Sequence, residues 1–170
     1  MLKSQDYKAE ILEELARRFE ANHNSLADAY ALIWAVDVYA SLVWFETGRT
    51  VTETEFKNAI EKQCEEFGII RSASNAIKHI ERTKSDVVVK SMRDIKSGTA
   101  PSWYAFFANG GRSEPSVAIT INWEYDPETN VYKNGDGKII PAPQSGWKAQ
   151  YLTRLYRPAI VAIEARLNAL

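Results

Sequence analysis

Apolar residues recur at three- and four-residue spacing through about the first eighty positions and at two-residue spacing after them, so the chain changes class midway. Tyr7, Ile11, Leu12, Leu15 and Phe19 predict an amphipathic helix over about 4–21, ended by the polar run Asn22-His23-Asn24-Ser25. Ser25 is placed to cap a second helix through Leu26, Tyr30, Ile33, Trp34, Val38, Leu42 and Phe45. That segment has few polar residues on any side, which predicts a helix in the middle of a bundle. Gly48 supplies a stop, and Thr52-x-x-Glu55 is a capping box opening a third helix with the stripe Phe56, Ile60, Cys64 and Phe67. Gly68 is expected to close it. A fourth helix is expected from about Ile69 to Thr83, with Ala73, Ala76, Ile77 and Ile80 turned inward.

After Ser85 the period becomes two. Val87–Lys90, Trp103–Phe107 and the alternating Val117, Ile119, Ile121, Trp123 and Tyr125 predict antiparallel strands. Asp126-Pro127-Glu128-Thr129-Asn130 and Asn134-Gly135-Asp136-Gly137 read as turns, leaving Val131–Lys133 and Lys138–Ile140 as short hairpin arms. Pro141, Pro143 and Gly146 end this region, and Trp147 opens a last helix through Leu152, Leu155, Ile160, Ile163 and Leu167 that Pro158 should kink or split. The expected fold class is therefore α+β and mainly helical: a bundle of four to five helices with a small antiparallel sheet of three to five strands inserted before the last helix. A chain of 170 residues fits one domain, with the bundle over 4–84, the β region over 86–141 and the terminal helix over 147–169.

Composition adds limits to this picture. With 45% hydrophobic and 25% charged residues the chain reads as an ordinary globular protein, and its five Trp suggest a well-filled interior. Cys64 is the single cysteine, so no internal disulfide can form, and no secretory leader is recognisable at the start; both point to a cytoplasmic setting. The apolar stretch from Leu26 to Phe45 approaches membrane-spanning length, but Asp28 and Asp37 within it predict a buried helix and no membrane contact.

The net charge of −1 hides a segregation. Residues 1–70 carry 7 Lys/Arg against 13 Asp/Glu, a balance of −6, while residues 71–96 carry 7 against 3, or +4. Such a basic segment could meet RNA or an acidic protein partner, or simply face an acidic neighbour inside the same domain; the chain as a whole lacks the strong basicity of a nucleic-acid binder.

The chemistry-bearing stretch is Arg71-Ser72-Ala73-Ser74-Asn75-Ala76-Ile77-Lys78-His79. On a helix Asn75 and His79 share a face, about 6 Å apart along the axis. The structural reading is a buried polar cluster in which Asp37, set among Trp34, Val36, Val38 and Tyr39, pairs with Asn75 and His79, with Lys78 or Arg71 as further members. A carboxylate in such surroundings is costly unless it is paired. Other chemistries are weaker. Two histidines 56 residues apart and one Cys offer no metal-ligand spacing, so neither a metal nor a cofactor is expected. Asp126-x-Glu128-x-Asn130 has Val131 where a calcium loop needs Gly, Gly110-Gly111 beside Arg112 has no phosphate-loop context, and the aromatic run from Trp103 to Phe107 is core by default.

Asn75-Ala76-Ile77-Lys78-His79 on an inner helix of a bundle resembles the HEPN superfamily, small domains found in toxins, antiphage systems and RNA-processing proteins. The Asp136-Gly137 turn and Trp147 heading a terminal helix make the chain similar also to a loose group of uncharacterised bacterial proteins. The resemblance implies a metal-independent endoribonuclease in its active members, with His79 moving protons, Asn75 orienting and a cation stabilising charge on phosphate. Their motif has an Arg before the Asn. Here that position is Ser74; Arg71 stands eight residues before His79, about 12 Å along the axis and rotated by roughly 80°. The catalytic candidates are thus His79, Asn75, Lys78 and Arg71. Three accounts follow: a non-catalytic interaction module in a bacterial or phage setting, with a homodimer as a further implication of the same resemblance; a ribonuclease using His79; and a binder of a small anion between bundle and sheet.

Overall fold

A computed structural model describes residues 3–82, 87–99, 116–134, 137–140 and 149–167. The fold is α+β and mainly helical. Helix α1 is one continuous rod assembled from Ser4–Tyr7, a π-helical stretch Lys8–Leu12 and Glu13–Ala21. Helix α2 spans Leu26–Glu46, α3 Glu53–Glu61, α4 Glu65–His79 and α5 Leu152–Leu167. The expected caps form: Ser25 Oγ accepts the Asp28 N–H at 3.2 Å, and Thr52 and Glu55 close a reciprocal capping box. Beyond α2 the chain reverses through Gly48 at φ 80°, a conformation that glycine adopts without steric cost.

Helix α1 runs antiparallel to α2, with Ser4 bonded to Glu46 at one end and Arg18 paired with Asp28 at 2.6 Å at the other. Helix α4 is also antiparallel to α2. Asp37 meets Ser74 and Lys78, and Tyr30, two turns earlier on α2, reaches the Met92 carbonyl just past the end of α4. Helix α5 packs across both α2 and α4. Its Leu155, Ile160 and Ile163 join Phe19, Leu32, Val36, Phe67 and Ile70 in one cluster of nearly inaccessible side chains.

Among the described residues, six strands form two sheets of three: β1 Ile95–Thr99, β2 Ser116–Thr120, β3 Trp123–Asp126, β4 Val131–Asn134, β5 Ile139–Ile140 and β6 Ala149–Tyr151. The orders are β1-β2-β6 and β3-β4-β5, antiparallel throughout. Val117 and Ile119 place the first sheet in the common core. The turn after α1 holds it there: the His23 carbonyl accepts the Val117 N–H at 2.8 Å, and Asn24 accepts the Gly98 N–H. The second sheet is an arm that joins the common core through Trp123, whose ring also packs edge-on against Tyr132 of the same sheet with centroids 5.0 Å apart.

Several boundaries differ from the periodic pattern, each for a local reason. Gly68 lies inside α4, and the break falls at Cys64, whose extended backbone (φ −142°, ψ 100°) makes it the N-cap. Residues 87–90 form no strand; β1 lies instead at 95–99. The expected strand from Val117 to Tyr125 is interrupted at Ile121-Asn122 and feeds two different sheets. The last helix begins at Leu152, because Ala149–Tyr151 pairs with Ala118–Thr120 as β6. It runs unsplit through Pro158, whose missing N–H leaves only the carbonyl of exposed Arg154 unserved, where water can reach it. The expectations at 103–107, 110–112, 141–146 and Trp147, and that for Asp136, lie outside the described residues.

Candidate functional site

A buried ion cluster sits between α2, α3 and α4, centred on Asp37, which is 3% exposed. Lys57 Nζ donates to Asp37 Oδ1 at 2.7 Å, while Ser74 Oγ and Lys78 Nζ donate to Oδ2 at 2.8 and 2.9 Å. Glu53 extends the network: its Oε1 lies 3.0 Å from Lys57 Nζ and accepts from Ser41 Oγ at 2.6 Å. Two carboxylates and two ammonium groups balance. Burial by itself pushes the Asp37 carboxyl up, but the ammonium of Lys57, its hydrogen bond and the contact with Lys78 outweigh that and hold it below its ordinary 3.8. Each of these side chains is delivered by local helix geometry. Lys57 adjoins the apolar stripe of Phe56 and Ile60, which brings it inward with them; Ser74 and Lys78 are one turn apart on α4 and so meet the same carboxylate.

The cluster links α2 to α4, but not through the residues first expected. Asp37 is bound by Lys57, Ser74 and Lys78, and among the described residues neither Asn75 nor His79 makes a side-chain hydrogen bond to it. The physical reason is rotation: Ser74 and Lys78 occupy the face of α4 turned to α2, which leaves Asn75 half-buried and His79 exposed. The four catalytic candidates do not converge either. Arg71 is turned toward α3, where its guanidinium donates to Asn58 Oδ1 at 2.8 Å and lies 3.1 Å from Glu61. Lys57 and Ser74 were the members missed. Their signals were a Lys beside an apolar stripe with Glu53 four residues before it, and a Ser among the small residues of the inner helix.

The end of α4 is strained. Ile80 has φ 61° and ψ −53°, and the Glu81 N–H reaches back to the His79 carbonyl at 2.6 Å, a γ-turn of the rare positive-φ kind. For a β-branched residue this conformation is a genuine outlier. It is enforced from outside, since Met92 N–H and Ser91 Oγ both bond the Ile80 carbonyl and Arg82 N–H bonds the Lys90 carbonyl. The basic stretch 90–93 is thereby stitched to the end of the inner helix.

Other concavities and reactive groups are less promising. A groove of about 610 Å³ on the β arm is lined by Asn122, Glu124, Asp126, Glu128 and Lys133 among others. Its carboxylates outnumber its cations, which disfavours an anionic ligand. Asp126 caps its own turn by accepting from the Glu128 N–H at 3.0 Å, and Lys133 holds its carboxyl far below the usual range. Cys64 is buried, which pushes its thiol up to about 11 and makes it a poor nucleophile. Among the described residues no group of three His, Cys, Asp or Glu is close enough to hold a metal ion.

Helix α2 is long and apolar enough to cross a membrane, and half of its most apolar stretch is buried against the rest of the chain. Its remaining face is unusual for a bundle centre. Trp34 is 52% exposed and Val38, one turn on, is 38% exposed. Fold and site together define an α+β helical-bundle protein knit by an internal ion cluster, with an open apolar strip beside it. No family model, curated protein or solved structure matches the chain.

Proposed function

We propose that the protein is a non-catalytic interaction module, in the bacterial or phage setting that its motif's resemblance implies. The observation that carries this reading is the exposed Trp34 and Val38 on a helix otherwise committed to the core. Large apolar side chains held in the open on rigid secondary structure are the anchor residues of protein interfaces. The polar cluster supports the same reading by its saturation. Lys78 and Arg71, the two cations of the motif itself, are each engaged with a carboxylate of the chain, and Ser74 is fully buried at the position where the ribonucleases that the motif resembles carry an Arg.

One observation favours the second reading, a ribonuclease: the His79 ring is exposed and lies next to Lys78. Metal-free incubation of purified protein with structured RNA, beside His79→Ala, separates the two. The interaction reading expects no cleavage by either protein. Cleavage by the wild type that disappears in His79→Ala replaces it with the enzyme.

A further inference from the structure

We infer that the outer strip of α2 is the docking site for an amphipathic helix of another protein, about four turns long, with acidic residues in its first turn and basic residues in its last. This rests on the interaction reading and names its partner. Ala27, Ala31, Trp34, Val38 and Leu42 follow one another at three- and four-residue steps, so they fall on one side of α2. Ala27, Trp34 and Val38 are exposed, and the other two are half-buried. The acidic residues of α2 all lie off this line: Asp28 is paired with Arg18, Glu46 is bonded to Ser4, and Asp37 is held in the buried cluster. The strip therefore runs about 22 Å without a charge, which is the length of a four-turn helix. It ends where the Arg49 guanidinium covers the Phe45 ring, 3.7 Å from its centroid.

The two ends of the strip differ in charge. Helix α1 turns Lys8, Glu13 and Glu20 toward α5, where they pair with Glu164 and Arg157. Its other side flanks the strip, with Ile11 at 37% exposure beside Asp6 and Glu10, which are exposed and make no ion pair among the described residues. Because Ser4 meets Glu46 and Arg18 meets Asp28, Asp6 and Glu10 stand beside the C-terminal half of α2. Tyr30 meets the Met92 carbonyl, so Lys90 and Arg93, exposed and likewise without an ion pair among the described residues, stand beside the N-terminal half. Lys3 and Arg49 are cations at the acidic end, where Glu46, Glu53 and Glu55 add to the carboxylates, and Glu81 is an exposed carboxylate at the basic end. A helix laid along the strip thus meets mainly cations at one end and mainly carboxylates at the other. An acidic first turn and a basic last turn is also the order that suits a helix's own dipole, so one segment meets both demands and runs parallel to α2. Asp6 and Glu10 disfavour an anionic lipid surface, and the aliphatic side chains of the strip give bases nothing to stack on.

A display library selected against the full chain at micromolar concentration tests this. Its peptides have about 16 residues, the length of the strip, with Leu and Ala fixed at helical spacing on one face and the polar positions of the first and last turns randomised between Glu and Lys. Sequences with Glu first and Lys last should be enriched. The best of them, as a labelled synthetic peptide, should bind Trp34→Glu about thirtyfold or more weakly, as loss of a central aromatic anchor does, with the helical content of the protein unchanged. Val38→Glu probes the same strip should Trp34→Glu fold poorly. The charge-swapped peptide should bind the wild type about three- to tenfold more weakly, as loss of a few exposed ion pairs does. Combining Asp6→Lys, Glu10→Lys, Lys90→Glu and Arg93→Glu in one variant should reverse that preference, a result that damage to the fold cannot give. The proposal is overturned by no enrichment, by enrichment without charge order, by affinity indifferent to both Glu substitutions on the strip, or by attachment of this face to phosphatidylserine vesicles or RNA in place of the peptide. RNA cleavage, measured separately, removes the interaction reading; absence of both cleavage and enrichment removes this partner alone.

Discussion

Asp37 concentrates the energetics of this molecule in one side chain. Its oxygens take three donors from two other helices, and Asp37→Ala leaves the Lys57 ammonium buried with only Glu53 to answer it. Breaking one member of such a cluster costs about 3–5 kcal/mol, so chemical denaturation of Asp37→Ala should show a loss of that order. The pH dependence follows from the depressed carboxyl. A group whose folded pKa lies below its unfolded value of 3.8 contributes stability that is present above 3.8 and lost as pH falls through the folded pKa. The stability gap between wild type and Asp37→Asn should therefore be constant near neutrality and shrink in acid below 3.8. A gap that widened in acid would contradict the pairing. Ile80 makes the opposite case, a residue the fold holds at a cost. A non-glycine residue in a sparsely populated backbone region stores about 1–3 kcal/mol, and Ile80→Gly removes that at the expense of roughly 0.5–1 kcal/mol of unfolded-state entropy. Because the Ile80 side chain is exposed, little packing is lost, and thermal unfolding should occur at higher temperature in Ile80→Gly than in wild type.

At the scale of elements, the helices were legible where a side chain caps its own backbone. Ser25 and the Thr52–Glu55 box set the starts of α2 and α3 by bonds within four residues, and these form as the pattern predicts. Ends and interiors were less legible. Gly68 reads as a stop, yet it sits in a helix whose continuation is decided by burial of Phe67, Ile69 and Ile70 on either side of it. A Cβ built on Gly68 would meet the Glu61 side chain at 3.6 Å, an ordinary contact. Gly68→Ala should therefore gain the helix-propensity difference of about 0.8–1 kcal/mol and raise the melting temperature by roughly 2–4 °C for a chain of this size. Strand β6 was illegible for another reason: Ala149-Gln150-Tyr151 has no period of its own and becomes a strand through pairing with β2.

Across the whole molecule, stability should be graded. Helices α2, α4 and α5 share the fully buried cluster, whereas β4 is half-buried and β5 has Ile139 70% exposed. Native-state hydrogen exchange should find the slowest amides in α2 and α4 and a separate, lower opening energy for β3–β5; uniform protection would contradict this. The sequence by itself determined the class of fold, the middle position of α2 and the need of Asp37 for a partner on α4, because periodicity, caps and the cost of a buried carboxylate act within one or two turns. Only the tertiary structure decided that Lys57, Ser74 and Lys78 meet that need while Asn75 and His79 do not. The choice depends on how α4 is rotated against α2, since a turn of about 100° about its axis exchanges one set of side chains for the next.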